Sequence, residues 1–571
     1  MDQPWWREAV AYQIYPRSFA DSNGDGLGDL QGITDHLDYL AALGVDAIWI
    51  CPFYTSPQND HGYDVADYCD VDPIFGTLAD ADHLIARAHE LALKVIVDLV
   101  PNHTSSAHPW FVEARAAEPG SPARDRYIFR DGRGENGEEP PTNWRSVFGG
   151  PAWTRIEGGQ WYLHLFDDDQ PDLNWHNPEV VEEFTKILTF WLDRGVDGFR
   201  VDIAHGLFKE LRDQVVPEGL APTSDAAVMY ERGVTDAPMW DNLGVHEIYR
   251  AWRKLIDSFD GDRMMVAEAW TPGPAELRRY VRADEFNQAF NFSWLQAPWS
   301  AEAFTNVIGS TLKALGPSRA APTWVLSNHD VVRHRSRYGD GLQALHRARA
   351  ATLTMLALPG SAYLYQGEEL GLPQVYLPPE YQEDPWSETG EGGRDGCRVP
   401  LPWSGFEPPF GFSEVPDEET TGVRSSGELA RPLAPNEGVI PRSGKLPTQP
   451  WLPQPAEWVD LTVAAQNGVR DSTLEFYRAA LAARRAFALG ADEDVELLDA
   501  PEGVVSFRRG GVGGSPAAPG LGARTDLIVV LNCGMEPTPL PEGEIVMYSG
   551  DPVVGDLPTD AAVWIIAPAV D

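Results

Sequence analysis

Three short segments end apolar runs on a carboxylate: Gly198-Phe-Arg-Val-Asp202, Val266-Ala-Glu268 and Ser327-Asn-His-Asp330. Arg200 and His329 lie beside two of them. Two or three carboxylates converging near a fixed cation suit the cleavage of a glycosidic bond. One carboxyl attacks the anomeric carbon, and a second, protonated, passes its proton to the leaving oxygen. Arg200 stands two residues before Asp202, so on a strand the two share a face, and Arg200 is expected to hold Asp202 ionised. A lone strand-end Asp is more often a helix cap or ion-pair partner. Five clusters are harder to explain that way: Asp60-His61-Gly62-Tyr63-Asp64, Asp98 with Asn102-His103, Arg200 with Asp202, Glu268, and His329-Asp330.

The elements that must position these residues show in the apolar pattern. Strand-like runs occur at Ala11–Phe19, Val45–Pro52, Leu93–Val100, Gly195–Ile203, Met264–Trp270, Phe286–Trp294, Thr323–Asp330 and Ser361–Glu369. Between them, Leu78–Ala92, Glu179–Arg194 and Leu342–Leu358 repeat apolar residues at three- and four-residue steps, the period of an amphipathic helix. Eight strands alternating with helices predict an α/β chain with a (β/α)8 barrel, although a doubly wound open sheet has the same alternation. In a barrel the active site lies at the C-terminal ends of the strands, where the polar clusters fall.

The barrel is expected to comprise residues 1–102 and 176–489, with an inserted lobe, without a clean helix, at 103–175 after the third strand. A Pro-rich excursion over 371–465 is expected to form irregular loops near the same mouth, and a helix at Ser472–Phe487 to close the barrel part. Residues 490–571 turn to short alternating runs, Val504–Arg508, Asp526–Asn532 and Ala562–Ile566, which predict a C-terminal antiparallel β-sandwich domain with a hairpin tip at Gly510–Gly522.

Composition narrows the partners. The 571 residues carry a formal charge of −42, which repels nucleic acid and anionic membranes and favours a neutral or cationic substrate. Four scattered cysteines, Cys51, Cys69, Cys397 and Cys533, have no metal-ligand spacing and no disulfide framework. With no apolar stretch long enough to span a bilayer, a cytoplasmic location is expected. Asp21-Ser-Asn-Gly-Asp-Gly-Leu-Gly-Asp29 sets oxygen-bearing side chains at alternate positions around glycines. That spacing suits Ca²⁺ or Mg²⁺, with an ion-free Asx turn as the alternative.

Asp98-Leu-Val-Pro-Asn-His103, Gly198-Phe-Arg-Val-Asp202, Glu268 and Asn328-His-Asp330 resemble the four signature regions of the α-amylase family, glycoside hydrolase family 13. Gln170-Pro-Asp-Leu-Asn-Trp175 resembles the fifth region of its oligo-1,6-glucosidase and α-glucosidase branch. The resemblance implies that Asp202 is the nucleophile, Glu268 the general acid and then base, and Asp330 the stabiliser of the distorted sugar. His103 and His329 would donate hydrogen bonds to sugar hydroxyls, and Phe166 is a pocket-wall candidate.

Asp60-His-Gly-Tyr63 and Gly393-Arg-Asp-Gly-Cys-Arg398 resemble that branch's pocket-closing motifs. They imply that Asp60 pairs with Arg398, or alternatively Arg394, around the terminal glucose while Tyr63 stacks on its ring. The resemblance also implies a structural Ca²⁺ (or Mg²⁺) on Asp21, Asn23, Asp25, Asp29 and the Leu27 carbonyl. The expected substrate is a short α-glucoside. Ile203 after the nucleophile leans toward α-1,6 bonds. Ile203-Ala-His-Gly206 as a whole is similar to actinobacterial maltase-type enzymes and shifts the expectation to α-1,4, with His205 on the leaving-group side.

Overall fold

The computed structural model describes residues 3–211, 238–316, 320–385, 393–413, 449–491, 495–512 and 525–568. Eight parallel strands form one sheet: β1 Val10–Ile14, β2 Ala47–Ile50, β3 Lys94–Leu99, β4 Gly198–Val201, β5 Met264–Ala267, β6 Gln288–Ala289, β7 Thr323–Val325 and β8 Ser361–Tyr365. Their spatial order is β6-β5-β4-β3-β2-β1-β8-β7. The Asn291 N–H donates to the Thr323 carbonyl at 3.0 Å, bridging the segment after β6 to β7. The sheet is therefore a nearly closed barrel, and the open doubly wound alternative falls away. All residues of β1, β2, β4, β5 and β8 are buried, which is why these strands read as continuous apolar runs.

The amphipathic repeats form helices Leu78–Glu90, Pro178–Asp193, Gly341–Leu356 and Thr473–Ala486. Their starts follow from capping. Thr77 and Asp80 make a reciprocal capping box, and the Asn177 and Ser472 side chains accept from the first turns of their helices.

Two expectations need revision. The lobe contains a helix, Pro109–Ala116, and a three-stranded antiparallel sheet of Phe129–Asp131, Gln160–Leu163 and Trp153–Arg155. Proline at the first helical position and the His108 ring, which accepts from Trp110 N, start that helix, a signal hidden among Gly, Pro and Trp. Asp330 does not end a strand, because β7 stops at Val325. Asp330 lies in the following loop, held by its own N–H on Asn328 Oδ1 (2.9 Å) and by His334 N on Ser327 Oγ (2.9 Å).

The C-terminal antiparallel domain is one five-stranded sheet of β9 Val495–Leu497, β10 Val504–Val512, β11 Thr525–Asn532, β12 Glu544–Tyr548 and β13 Ala561–Pro568, ordered β9-β10-β11-β13-β12. Its second layer comes from the barrel. Phe507, Val529 and Trp564 join the main core, and the Trp564 indole donates to the Leu353 carbonyl of helix Gly341–Leu356 at 3.0 Å. The opposite face carries a separate small cluster around Val530, Val563 and Ile565. Most of the hairpin tip expected at 510–522, and residues 414–448 of the Pro-rich excursion, lie outside the described residues.

Candidate active site

Arg200 is the hub of the pocket. From β4 its Nη1 donates to Asp202 Oδ1 at 2.6 Å and to Asp98 Oδ1 at 2.9 Å, while Nη2 donates to Glu268 Oε2 at 2.6 Å. Asp202 and Glu268 each follow the last residue of a paired strand, β4 and β5, so strand register sets them side by side. Trp49 Nε1 (3.1 Å) and the Tyr63 hydroxyl (3.0 Å) donate to Asp98, and Trp270 Nε1 donates to Glu268 Oε1 (3.1 Å). All three carboxylates are buried.

This sharing alters the charge state expected from Arg200 and Asp202 alone. Burial pushes Asp202 well above the usual carboxylate range. Arg200 opposes that, while Glu268 and Asp98 add to it. Burial likewise pushes Asp98 up to about 6 against Arg200. One guanidinium divided among three buried carboxylates offsets only part of the burial that favours the neutral form of Asp202 and Asp98.

Asp330 is held by different cations. Arg394 Nη1 and Arg398 Nη2 both reach its Oδ1 at 3.1 Å, and His329 Nε2 stands 3.3 Å from Oδ2. Burial works to raise Asp330, but His329, Arg394, Arg398 and Arg200 outweigh it and hold it far below the usual range. His329 is itself pushed well below 6.5 by burial. Gln13 Nε2 lies 2.7 Å from its Nδ1, and its ring lies between Tyr15 and Tyr63, parallel to Tyr63 within 8° at 5.2 Å.

The guanidinium paired with Asp60 belongs to Arg394, 2.7 Å away, and not to Arg398. Arg398 instead donates to the His329 carbonyl at 2.8 Å and to Asp330. The four-residue helix Asp395–Arg398 explains the exchange. Arg394 caps it, with its side chain gripped by Asp384 at 2.7–3.2 Å, and that grip turns the guanidinium toward Asp60. Tyr63 has one ring face against His329, which bears on its expected stacking role.

His103 reaches the same pocket from the inserted lobe's side. Its Nε2 lies 3.1 Å from the Tyr63 carbonyl and 3.2 Å from Gln170 Nε2, and Gln170 also donates to Asp60 Oδ2 at 3.0 Å. Burial pushes His103 down to about 4. Phe166 packs on it at 5.3 Å and is buried beside Phe148. A buried ammonium fastens the lobe beneath. Lys209 Nζ meets Asp172 Oδ2 at 2.8 Å and Asn102 Oδ1 at 2.6 Å, with Lys209 and Asp172 fully enclosed.

The chain matches the alpha amylase catalytic domain over residues 13–419. The chain belongs to the α-amylase family. It is 40% identical over 541 residues to a probable alpha-glucosidase of Rhizobium meliloti (strain 1021), covering 89% of this chain and 87% of that one. It is 39% identical over 447 residues to the oligo-1,6-glucosidase of Parageobacillus thermoglucosidasius, covering 71% and 76%. Among solved structures, an alpha-glucosyl transfer enzyme superposes with a TM-score of 0.81 at 34% identity, covering 99% of this chain and all of the other. The protein is thus an enzyme, a glycoside hydrolase of the α-amylase family.

Residues 21–29 form a polar loop separate from the carboxylate pocket. Asp21 accepts from the N–H groups of Asn23, Gly24 and Gly26, Asn23 Oδ1 from Asp25 N, and Asp25 Oδ1 from Leu27 N. Asp29 accepts from Ser22 and caps helix Leu30–Asp35. Gly24 and Gly26 have φ of 78° and 97°, which lets the loop curl. Among the described residues no Lys, Arg or His pairs with Asp21, Asp25 or Asp29. The donor set is all oxygen and uncompensated in charge, and it fits a hard divalent cation. Among the described residues it is Asp167, Asp168 and Asp169, rather than Asp21, Asp25 and Asp29, whose carboxylates crowd together, with Ser106 and Asn59 donating to Asp169.

Sequence reasoning missed Asp384, Lys209, Trp49 and Trp270 as supports of the α-amylase family site. Asp384 and Lys209 act through partners brought close only by folding, and no local spacing marks them.

Proposed function

We propose that the protein is a retaining exo-α-glucosidase that releases terminal glucose from short α-glucosides, α-1,4 bonds ahead of α-1,6. The observation that carries this reading is the Arg200 bridge, one guanidinium with Asp202 on one terminal nitrogen and Glu268 on the other. Carboxyls within one guanidinium's width match the close spacing of a retaining pair, whereas an inverting pair must leave room for a water.

Asp202 attacks the anomeric carbon while the glycosidic C–O bond breaks and Glu268 gives its proton to the leaving oxygen. Water then enters, its oxygen bonds to the anomeric carbon while Glu268 takes one of its protons, and the C–O bond to Asp202 breaks to release glucose and restore the carboxylate. The chemistry needs Asp202 ionised, and the Arg200 Nη1 donor at 2.6 Å favours that form against the burial that opposes it. Asp330, kept anionic by Arg394 and Arg398, is suited to stabilising positive charge on the distorted sugar. The Asp60–Arg394 pair beside it supports a closed, single-glucose pocket rather than an open cleft.

Ca²⁺ or Mg²⁺ would be held by Asp21, Asn23, Asp25, Asp29 and the Leu27 carbonyl, supplying charge compensation to the fold. Trp451 N donates to the Gly26 carbonyl at 3.0 Å, and the Trp451 ring packs against His61 and Arg17, so this loop buttresses the pocket's outer side. The four free cysteines and the absence, among the described residues, of a helix long and apolar enough to cross a membrane support a cytoplasmic setting.

Asp202→Asn and Glu268→Gln should each reduce maltose hydrolysis at least about 10³-fold with the melting temperature held within a few degrees. Residual activity above one per cent in either overturns the assignment. A second reading, transglucosylation, is favoured by the likeness to the alpha-glucosyl transfer enzyme. Glucose set against new oligosaccharides from concentrated maltose decides between them.

A further inference from the structure

Ile203, directly after Asp202, has φ of +46°. A β-branched side chain avoids this left-handed region because its Cβ crowds the main chain. Strain of this kind persists only where the surroundings over-determine it, and it gathers at functional sites. Two main-chain donors of the turn reach Glu268. The Ile203 N–H donates to Glu268 Oε2 at 3.1 Å, and the next N–H, of Ala204, donates to the Glu268 carbonyl at 2.8 Å. Gly206 N closes the turn on the Ile203 carbonyl at 2.8 Å, and the Tyr249 hydroxyl donates to the Ala204 carbonyl. Gly206 itself has no room for a Cβ, which would meet the Trp240 ring at 2.6 Å and Ile203 Cγ2 at 2.7 Å. The Ile203 side chain is buried in the cluster that contains Phe166, Met239 and Trp240.

We propose that the left-handed turn at Ile203 is a positioning device for Glu268. This φ turns the chain that follows it, so an extended or right-handed residue at 203 would take the Ala204 N–H off the Glu268 carbonyl and release the main-chain anchor that keeps Glu268 against the Ile203 N–H. The turn instead pins the Glu268 main chain through Ala204, so that the Ile203 N–H, a rigid main-chain donor, stays on Oε2, the oxygen that also takes Arg200 Nη2 at 2.6 Å. Oε1 accepts from the Trp270 indole, at 3.1 Å. Two donors on Oε2 favour negative charge there, which leaves Oε1 as the oxygen that carries and delivers the proton. Ile203 is thus a positioning residue acting through its main chain. The inference rests on the reading of Glu268 as the group that protonates the leaving oxygen.

The test replaces the 203 amide by an ester, using the α-hydroxy acid counterpart of isoleucine, which deletes the N–H and keeps the side chain. Two substrates are compared: maltose, whose leaving oxygen needs a proton, and α-glucosyl fluoride, which departs with little help. The ester should lower kcat/KM on maltose by about 10-fold or more and on the fluoride less than about 2-fold. Equal slowing of both, or no change in either, overturns the proposal. Ile203→Gly supplies a second measure, since glycine reaches +46° without strain and keeps the N–H. It should preserve the maltose-to-fluoride ratio within about 3-fold, and collapse of that ratio would assign the effect to the side chain and sink the turn. Failure of the underlying reading looks different: the wild type would hydrolyse neither substrate, or Glu268→Gln would retain maltose activity.

Discussion

Arg394 and Arg398 are four residues apart and do different work. Arg394 joins Asp60, Asp330 and Asp384, whereas Arg398 joins Asp330 to the His329 carbonyl. Replacing Arg394 by alanine should raise the maltose KM about 10- to 100-fold, the worth of one or two charged hydrogen bonds. Asp60→Ala should act in the same way, and the double variant should cost little more than either single one. Replacing Arg398 should fall mainly on kcat, because Asp330 then loses part of the charge that keeps it ionised. Fully additive KM effects for Asp60 and Arg394 would separate them. Which arginine faces Asp60 was not legible in Gly393-Arg-Asp-Gly-Cys-Arg398. The choice is made by Asp384, itself held through its N–H on Asp395 Oδ2 at 3.0 Å, and no periodicity reports such a clasp.

The inserted lobe and the barrel meet at Lys209, between Asp172 of the lobe and Asn102 after β3. Lys209→Met keeps the length of the side chain but strands the Asp172 carboxylate in the interior. Losing one partner of an enclosed pair costs about 3–5 kcal/mol, so the melting temperature should drop by several degrees and maltose activity with it. An unchanged melting curve would mean that the ammonium holds nothing. The 21–29 loop makes a parallel prediction. Chelation should lower the melting temperature more than it lowers specific activity at 25 °C, and calorimetry showing no shift at all would count against an ion there. The barrel strands were legible because their residues are buried on both sides. The lobe's strands were not, since three or four residues of mixed burial carry too little alternation to stand out.

At the scale of the whole molecule, burial depresses seven of the histidines. His61, His103, His108, His164, His205, His329 and His334 all lie below the ordinary value of 6.5. A depressed histidine favours the neutral form in the fold. Its contribution is whole above pH 6.5, declines as pH falls below that value, and is gone once pH has passed the folded values, about 4 for His103 and His108 and about 3 for His205. Below pH 5, protonation of surface carboxylates begins to relieve the repulsion of a −42 chain, so the effect is best read between pH 7 and 5. Buried carboxylates pull the other way over that interval, Asp64, Asp98 and Asp167 at about 6 and Glu368 at about 8, so the melting temperature should change by less than about 5 °C, and a larger fall would mean that the histidines dominate.

The amino-acid sequence by itself determined the chemistry-bearing residues, the alternation of strands and helices and the order in which the barrel presents its carboxylates. These are local properties, written in residue type and apolar period. Tertiary structure alone decided that Arg200 serves three carboxylates, that Asp60 pairs with Arg394 at 334 residues' separation, and that Ile203 bends left-handed toward Glu268. Each depends on groups from distant segments meeting in a low-dielectric interior. There an unpaired charge or N–H is costly, and the fold must find it a partner.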